Sequence, residues 1–279
     1  MSGFALALVL SAAGLHALWN ALIKAAADRA IVLAAVSSVH VVAGLALVLF
    51  SPAPTLESWA FIVASTLIHY VYYVFLFQSY RFGDFSQVYP ISRGSAPVLV
   101  ALGAYLAIGE TLPVPAWLGL AGISAGIALL AFTRGANKAN PKAVIAAMIT
   151  GLLIASYSVV DGIGVRLADS PFGYMGWLFL LELPVVLFLL HRRRGKVHRF
   201  DRKAFCVGLI GGACAVTAYG LVIFAKTIAP LGAVSAVRES SVIMASLIGV
   251  VIFRERPLRM RLFSAVAVAG GIVALAFSA

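Results

Sequence analysis

Apolar residues run in stretches of about twenty, separated by short polar or proline-bearing breaks, and this pattern recurs ten times. A helix rises about 1.5 Å per residue, so about 20 apolar residues cross the hydrocarbon of a bilayer. The pattern predicts membrane helices over 3–24, 31–50, 58–80, 84–108 and 114–132, then 143–166, 171–190, 204–227, 230–253 and 258–278. Breakers fall between them: Ser51-Pro52-Ala53-Pro54, Gly109-Glu110 ahead of Pro113 and Pro115, and Asn140-Pro141. Only 134–142 and 191–203 are long and polar enough to be substantial loops. The first segment has no basic leader, and His16, Trp19 and Asn20 interrupt it, so it reads as a retained helix rather than a cleaved signal.

A shift of 145 residues carries Arg93 onto Arg238, Glu110 onto Glu255, Arg81 onto Lys226 and His16 onto Asp161. It also carries the glycine and apolar run 126–132 onto 271–277. Charge, glycine and apolar pattern align together, which marks an internal duplication. Five helices per unit is an odd number, so the two units enter the membrane with opposite orientation. The expected fold is all-α: a polytopic membrane protein with ten transmembrane helices, built as two inverted five-helix repeats at 1–135 and 140–279.

Composition agrees with this class. The chain of 279 residues is 62% hydrophobic and 11% charged, with a mean hydropathy of +1.04. The net charge of +11 resides in short runs between apolar segments, which argues for cytoplasmic loops and against a nucleic-acid partner. Loops after the odd-numbered helices hold seventeen of the Lys and Arg residues, and the other side holds only Arg166 and Lys226. The positive-inside rule then places both termini outside a cell inner membrane crossed many times. Cys206 and Cys214 match neither disulfide nor zinc spacing and read as free thiols. No hydrolase, nucleotide or metalloenzyme motif is present, so neither an enzyme nor a metal or cofactor is expected.

A charge at bilayer depth costs about 2.5–3.5 kcal/mol on insertion scales, so the intramembrane polar residues need partners or water. Arg93 lies nine residues into its helix, about 13 Å deep. The arginine fork suits a carboxylate or phosphate, which makes Arg93 and Arg238 candidate anion-binding residues. An internal ion pair of Arg238 with Glu239 or Asp161 is the structural alternative. Because Glu239 follows Arg238, Arg93 is expected to be the freer charge. Trp19, Asn20, His69, Tyr73, Tyr89 and Tyr157 are candidate substrate-site residues. His16 and Asp161, at matching depths, form a candidate proton-coupling pair, with Glu182 and Glu239 as further coupling or charge-partner residues. His40 reads as structural. Glu110 and Glu255 read as carboxylates complementing the start of the following helix. Small residues at Gly119, Gly122 and Gly126, at Gly208, Gly211 and Gly212, and at Gly270 and Gly271 read as close-packing faces.

The two stretches "APVLVALGAYLAIGETL…GLAGISAGIALL" and "SVIMASLIGVVIFRERPL…AVAGGIVALAF", with the opening "LHALWNALIKAA", resemble the drug/metabolite transporter superfamily in its ten-helix EamA-type members. The chain departs from that pattern at Arg254, which replaces the usual Gly before Glu255, and at Gly164, which stands where Trp19 would map. The resemblance implies a secondary carrier of small metabolites, often amino acids and often outward, working by alternating access. It also implies a cavity lined by helices one, three, four, six, eight and nine. The expected substrate is a small polar metabolite with an anionic group: amino acid, organic acid or phosphonate-like. Export of hydrophobic or cationic compounds, or lipid flipping, are the alternatives. Expected partners are that small molecule, the lipid bilayer and protons, with the chain a monomer or weak homo-oligomer.

Overall fold

The computed structural model describes residues 1–25, 29–82, 85–132, 140–192, 201–251 and 258–278. Twelve helices make up these residues: α1 Gly3–Ala25, α2 Arg29–Phe50, α3 Leu56–Phe82, α4 Phe85–Ile108, α5 Val114–Phe132 and α6 Pro141–Leu167. They continue as α7 Pro171–Leu180, α8 Leu183–Arg192, α9 Arg202–Ile228, α10 Leu231–Arg238, α11 Ser240–Val251 and α12 Leu258–Phe277. The protein is all-helical and polytopic. Among the described residues eight helical spans are long and apolar enough to cross a membrane, and α5 and α12 supply two shorter apolar stretches.

The helix starts follow from their capping residues. Asn140 accepts from Lys142 N at 3.0 Å with Pro141 in the first turn, and Ser170 accepts from Gly173 N at 3.1 Å ahead of Pro171. Asp201 accepts from Ala204 N at 3.0 Å to open α9. At the other kind of end, Gly109 adopts φ 66° and its N–H closes on Tyr105 O at 3.0 Å, a left-handed cap that stops α4.

Two of the expected spans are discontinuous. The seventh is broken at Leu181 and Glu182, because Pro184 has no N–H to give the Leu180 carbonyl. The ninth is interrupted at Glu239, between α10 and α11, with no proline to force it.

Packing joins the first half of the chain to the second. The first-half helices α1 and α2 lie along α9, α2 also meets α7, α3 and α4 lie along α6, and α5 lies along α12. Several of these contacts leave room only for glycine. A Cβ at Gly44 would fall 2.5 Å from Leu180 N, and one at Gly119 would fall 2.7 Å from Gly271 O, so these backbones touch directly. Gly208 and Gly212 likewise press on Val32, Ala35 and Val39 of α2.

Candidate functional site

The buried polar groups gather where α1, α4, α6, α9 and α10 meet. Arg93 comes from α4 and is 6% exposed; its Nη1 donates to Glu239 Oε1 at 3.0 Å and Oε2 at 3.4 Å. Glu239 is fully buried in the interruption after α10. The break thus presents a carboxylate from the second half to a guanidinium from the first. Arg93 Nη2 also lies 3.4 Å from His16 Nε2. The Nδ1 of that imidazole accepts from Trp19 Nε1 at 3.0 Å. Trp19 and Arg93 can both only donate, and a neutral imidazole has one acceptor nitrogen, so the two contacts compete for the single lone pair of His16.

Arg238 is 8% exposed and stands in the field of Arg93, Tyr157 and Glu239. Its guanidinium lies over the Tyr219 ring, 5.8 Å from the centroid. Among the described residues it has no hydrogen-bond or ion-pair partner. The alternative, a direct pair of Arg238 with Glu239 or Asp161, is not formed among the described residues: Glu239 serves Arg93, and Arg238 rather than the expected Arg93 is the freer charge. Two guanidinium groups share one carboxylate, so this part of the interior carries a surplus positive charge.

An aromatic wall adjoins it. His69 stacks on Tyr157 with centroids 4.1 Å apart, Tyr72 meets both edge-on, and Tyr219 meets His69 at 6.3 Å. The His69 Nδ1 is anchored to Ser65 O at 2.8 Å, which fixes the ring within its own helix. Beyond the wall, Glu182 sits in the break of the seventh span with its Oε2 2.8 Å from His40 Nδ1, and Tyr73 faces the same carboxylate.

Asp161 is fully buried, accepting from the Tyr174 hydroxyl at 3.1 Å and from the Tyr219 hydroxyl. Lys226 faces it and donates to Ser158 O at 3.0 Å. Counted as a loop residue from the sequence, Lys226 is instead a buried part of α9. His16 and Asp161 share no hydrogen bond or ion pair among the described residues. The Asp161 oxygens instead take the two tyrosine hydroxyls as their side-chain partners.

Most of the other expected site residues have plain positions. Trp19 packs with the α2 and α9 apolar cluster around Val32 and Val36, away from the aromatic wall. Asn20 donates to the carbonyl of His16 in its own helix at 2.6 Å. The Tyr89 side chain lies outside those described, as does the whole of Glu255. Glu110 complements a helix start, but that of α10 rather than α5. Its Oε1 accepts from Leu231 N at 2.5 Å, and Arg166 Nη1 donates to its Oε2 at 3.0 Å. The same Arg166 donates to the carbonyls of Lys226 and Ala229 at the end of α9.

Residues 141–277 match the EamA-like transporter family. The second half of the chain belongs to that family. A Sinorhizobium protein described as an uncharacterized transporter in the cobO 3′ region is 36% identical over 75 residues. That match covers 27% of this chain and 52% of the relative, so the chain spans about half the length of the relative it matches. A solved structure described only as the crystal structure of a protein superposes with a TM-score of 0.78 over 99% of this chain and 98% of its own, at 16% identity. At that identity the likeness concerns the fold alone. The EamA-like half supplies Asp161, Glu182, Tyr219, Lys226, Arg238 and Glu239, and so most of the buried ionisable groups. The expectations missed Tyr174, Tyr219 and the His40 partnership. A usable sign was available for one of them: Tyr219 and Lys226 are seven residues apart, two turns on one helical face.

Proposed function

We propose that this protein is a secondary-active transporter that carries a small anionic metabolite outward across a cell inner membrane by alternating access. The substrate would be an amino acid, an organic acid or a phosphonate-like compound. The observation that carries the reading is Arg238: a buried guanidinium with no hydrogen-bond or ion-pair partner among the described residues, beside a wall of stacked rings. Leaving such a charge uncompensated is expensive, and an anionic ligand is the direct way to offset it. Arg93, already engaged by Glu239, would orient rather than neutralise the ligand, and Tyr157 would meet its apolar part.

The reading includes two inverted repeats, 1–135 and 140–279. The α5–α12 interface supports it. Gly119 meets Gly271, Gly126 meets Ser264, and Gly122 meets Ala267. Adding 145 to 119, 122 and 126 gives 264, 267 and 271, so exchanging the two halves returns the same three contacts, as a two-fold relation requires.

The test is thermal stabilisation of the detergent-purified chain against amino acids, organic acids, phosphonates and lipophilic cations. Anions should raise the melting temperature of the parent and fail to raise that of Arg238→Gln. Stabilisation by lipophilic cations alone would overturn the anion reading in favour of cation export.

A further inference from the structure

The interior holds a second pair that is built differently from Arg93–Glu239. His40 of α2 and Glu182, in the break between α7 and α8, meet at 2.8 Å across the two halves. Around that pair stand Tyr70, Tyr73 and His69 of α3, whose ionisable groups face Glu182. Phe179 of α7 stacks on the His40 ring, and Tyr219 of α9 lies behind Phe179. Among the described residues no group of three His, Cys, Asp or Glu side chains gathers to hold a metal ion, so the pair is not part of a metal site of that kind. His40 Nδ1–H is committed to the carboxylate. The other ring nitrogen, Nε2, is buried and has no hydrogen-bond partner among the described residues.

An arginine keeps its proton, so Arg93–Glu239 is a fixed neutral pair. A histidine–carboxylate pair can take one proton more or less near neutral pH. With His40 neutral the pair carries one negative charge, and with His40 protonated at Nε2 it carries none. Charges sum simply elsewhere in this region: Asp161 faces Lys226, and Arg238 stays positive. A chain of ring contacts links Arg238 to His40 through Tyr219 and Phe179, with successive separations of 5.8, 5.9 and 5.2 Å. In the unliganded protein a negative His40–Glu182 pair and the positive Arg238 offset each other in net charge within one low-dielectric interior. A monoanion on Arg238 removes that balance, and a proton on His40 restores it.

We propose that His40–Glu182 is a proton-binding site, and that its occupancy is coupled to an anion at Arg238 so that one proton travels with each monoanion. The coupling rests on the anion reading of Arg238; the proton site stands on the His40 geometry. Linkage makes the effect mutual: anion binding tightens proton binding, and acid tightens anion binding by the same factor.

The experiment uses the full chain in lipid nanodiscs with 15N-labelled histidine, followed by NMR from pH 5 to 8, with benzoate as the probe anion. The resonance lost in His40→Gln should change protonation state within that range, and its midpoint should fall in Glu182→Gln. Saturating benzoate should raise the midpoint by about one pH unit, a tenfold tightening, and Arg238→Gln should cancel that rise while His40 still titrates. A His40 resonance that keeps one protonation state throughout overturns the proton site. Benzoate that stabilises the protein thermally yet leaves the midpoint unmoved overturns the coupling alone. Benzoate that neither stabilises the protein nor moves any resonance overturns the coupling through its anion premise, while the titration of His40 still decides the proton site.

Discussion

Glu239 follows Arg238 in the chain, yet its carboxylate is held at 3.0 Å by Arg93, 146 residues away in sequence. The pair is fully enclosed and ties α4 to the interruption between α10 and α11. Removing either partner strands the other charge in the interior, which costs about 3–5 kcal/mol. Arg93→Gln and Glu239→Gln should each lower the thermal or denaturant stability by that order. The double variant should recover a substantial part of the loss, as a double-mutant cycle would read. Additive losses would mean the pair is not formed.

Arg238→Gln should behave in the opposite way. No hydrogen-bonded partner is left stranded, so the melting temperature of the unliganded protein should equal or exceed that of the parent. Ligand binding should weaken roughly ten- to hundred-fold, the worth of hydrogen bonds to a charged group. Calorimetric titration beside a thermal melt separates the two effects. A large loss of stability would mark Arg238 as structural.

Glu110→Ala removes both the acceptor for Leu231 N and the partner of Arg166. The start of α10 then loses its cap, at a cost of about 1–3 kcal/mol. Hydrogen exchange should show faster opening at 231–234. Glu110→Gln, which keeps an acceptor oxygen, should lose markedly less.

Gly270 and Gly271 are neighbours with opposite surroundings. A Cβ at Gly270 meets nothing within 4 Å, whereas one at Gly271 falls 2.5 Å from Gly119 O. Gly270→Ala should leave stability unchanged or slightly raised by the helix preference for alanine. Gly271→Ala should cost about 1–3 kcal/mol through overpacking of α5 against α12. Comparing the melts of the two variants in one detergent checks this directly.

The helices were legible in the sequence because apolar runs, prolines and N-cap residues such as Asn140, Ser170 and Asp201 act over a few positions. The break in the seventh span was legible in principle, since Pro184 leaves Leu180 without its usual donor. The interruption at Glu239 has no such local cause and shows only in the fold. Partner choice was the least accessible layer. Adjacency suggested that Glu239 would neutralise Arg238, but successive helical residues point about 100° apart, and the carboxylate turns toward α4. His40 looked like a lone structural histidine because its partner lies 142 residues away, in the turn between two helices. Lys226 looked like a loop cation for its position near a helix end, though Ser158 and Asp161 draw it inward.

The contact of Gly44 with Gly176 and Leu180 brings α7 against α2 backbone to backbone, immediately ahead of Leu181. The missing N–H of Pro184 means the chain beyond that point can change its angle without severing the usual main-chain bond to Leu180. Glu182 therefore sits at a joint between two helical pieces that both rest on α2, where the chain lacks one of its usual main-chain bonds.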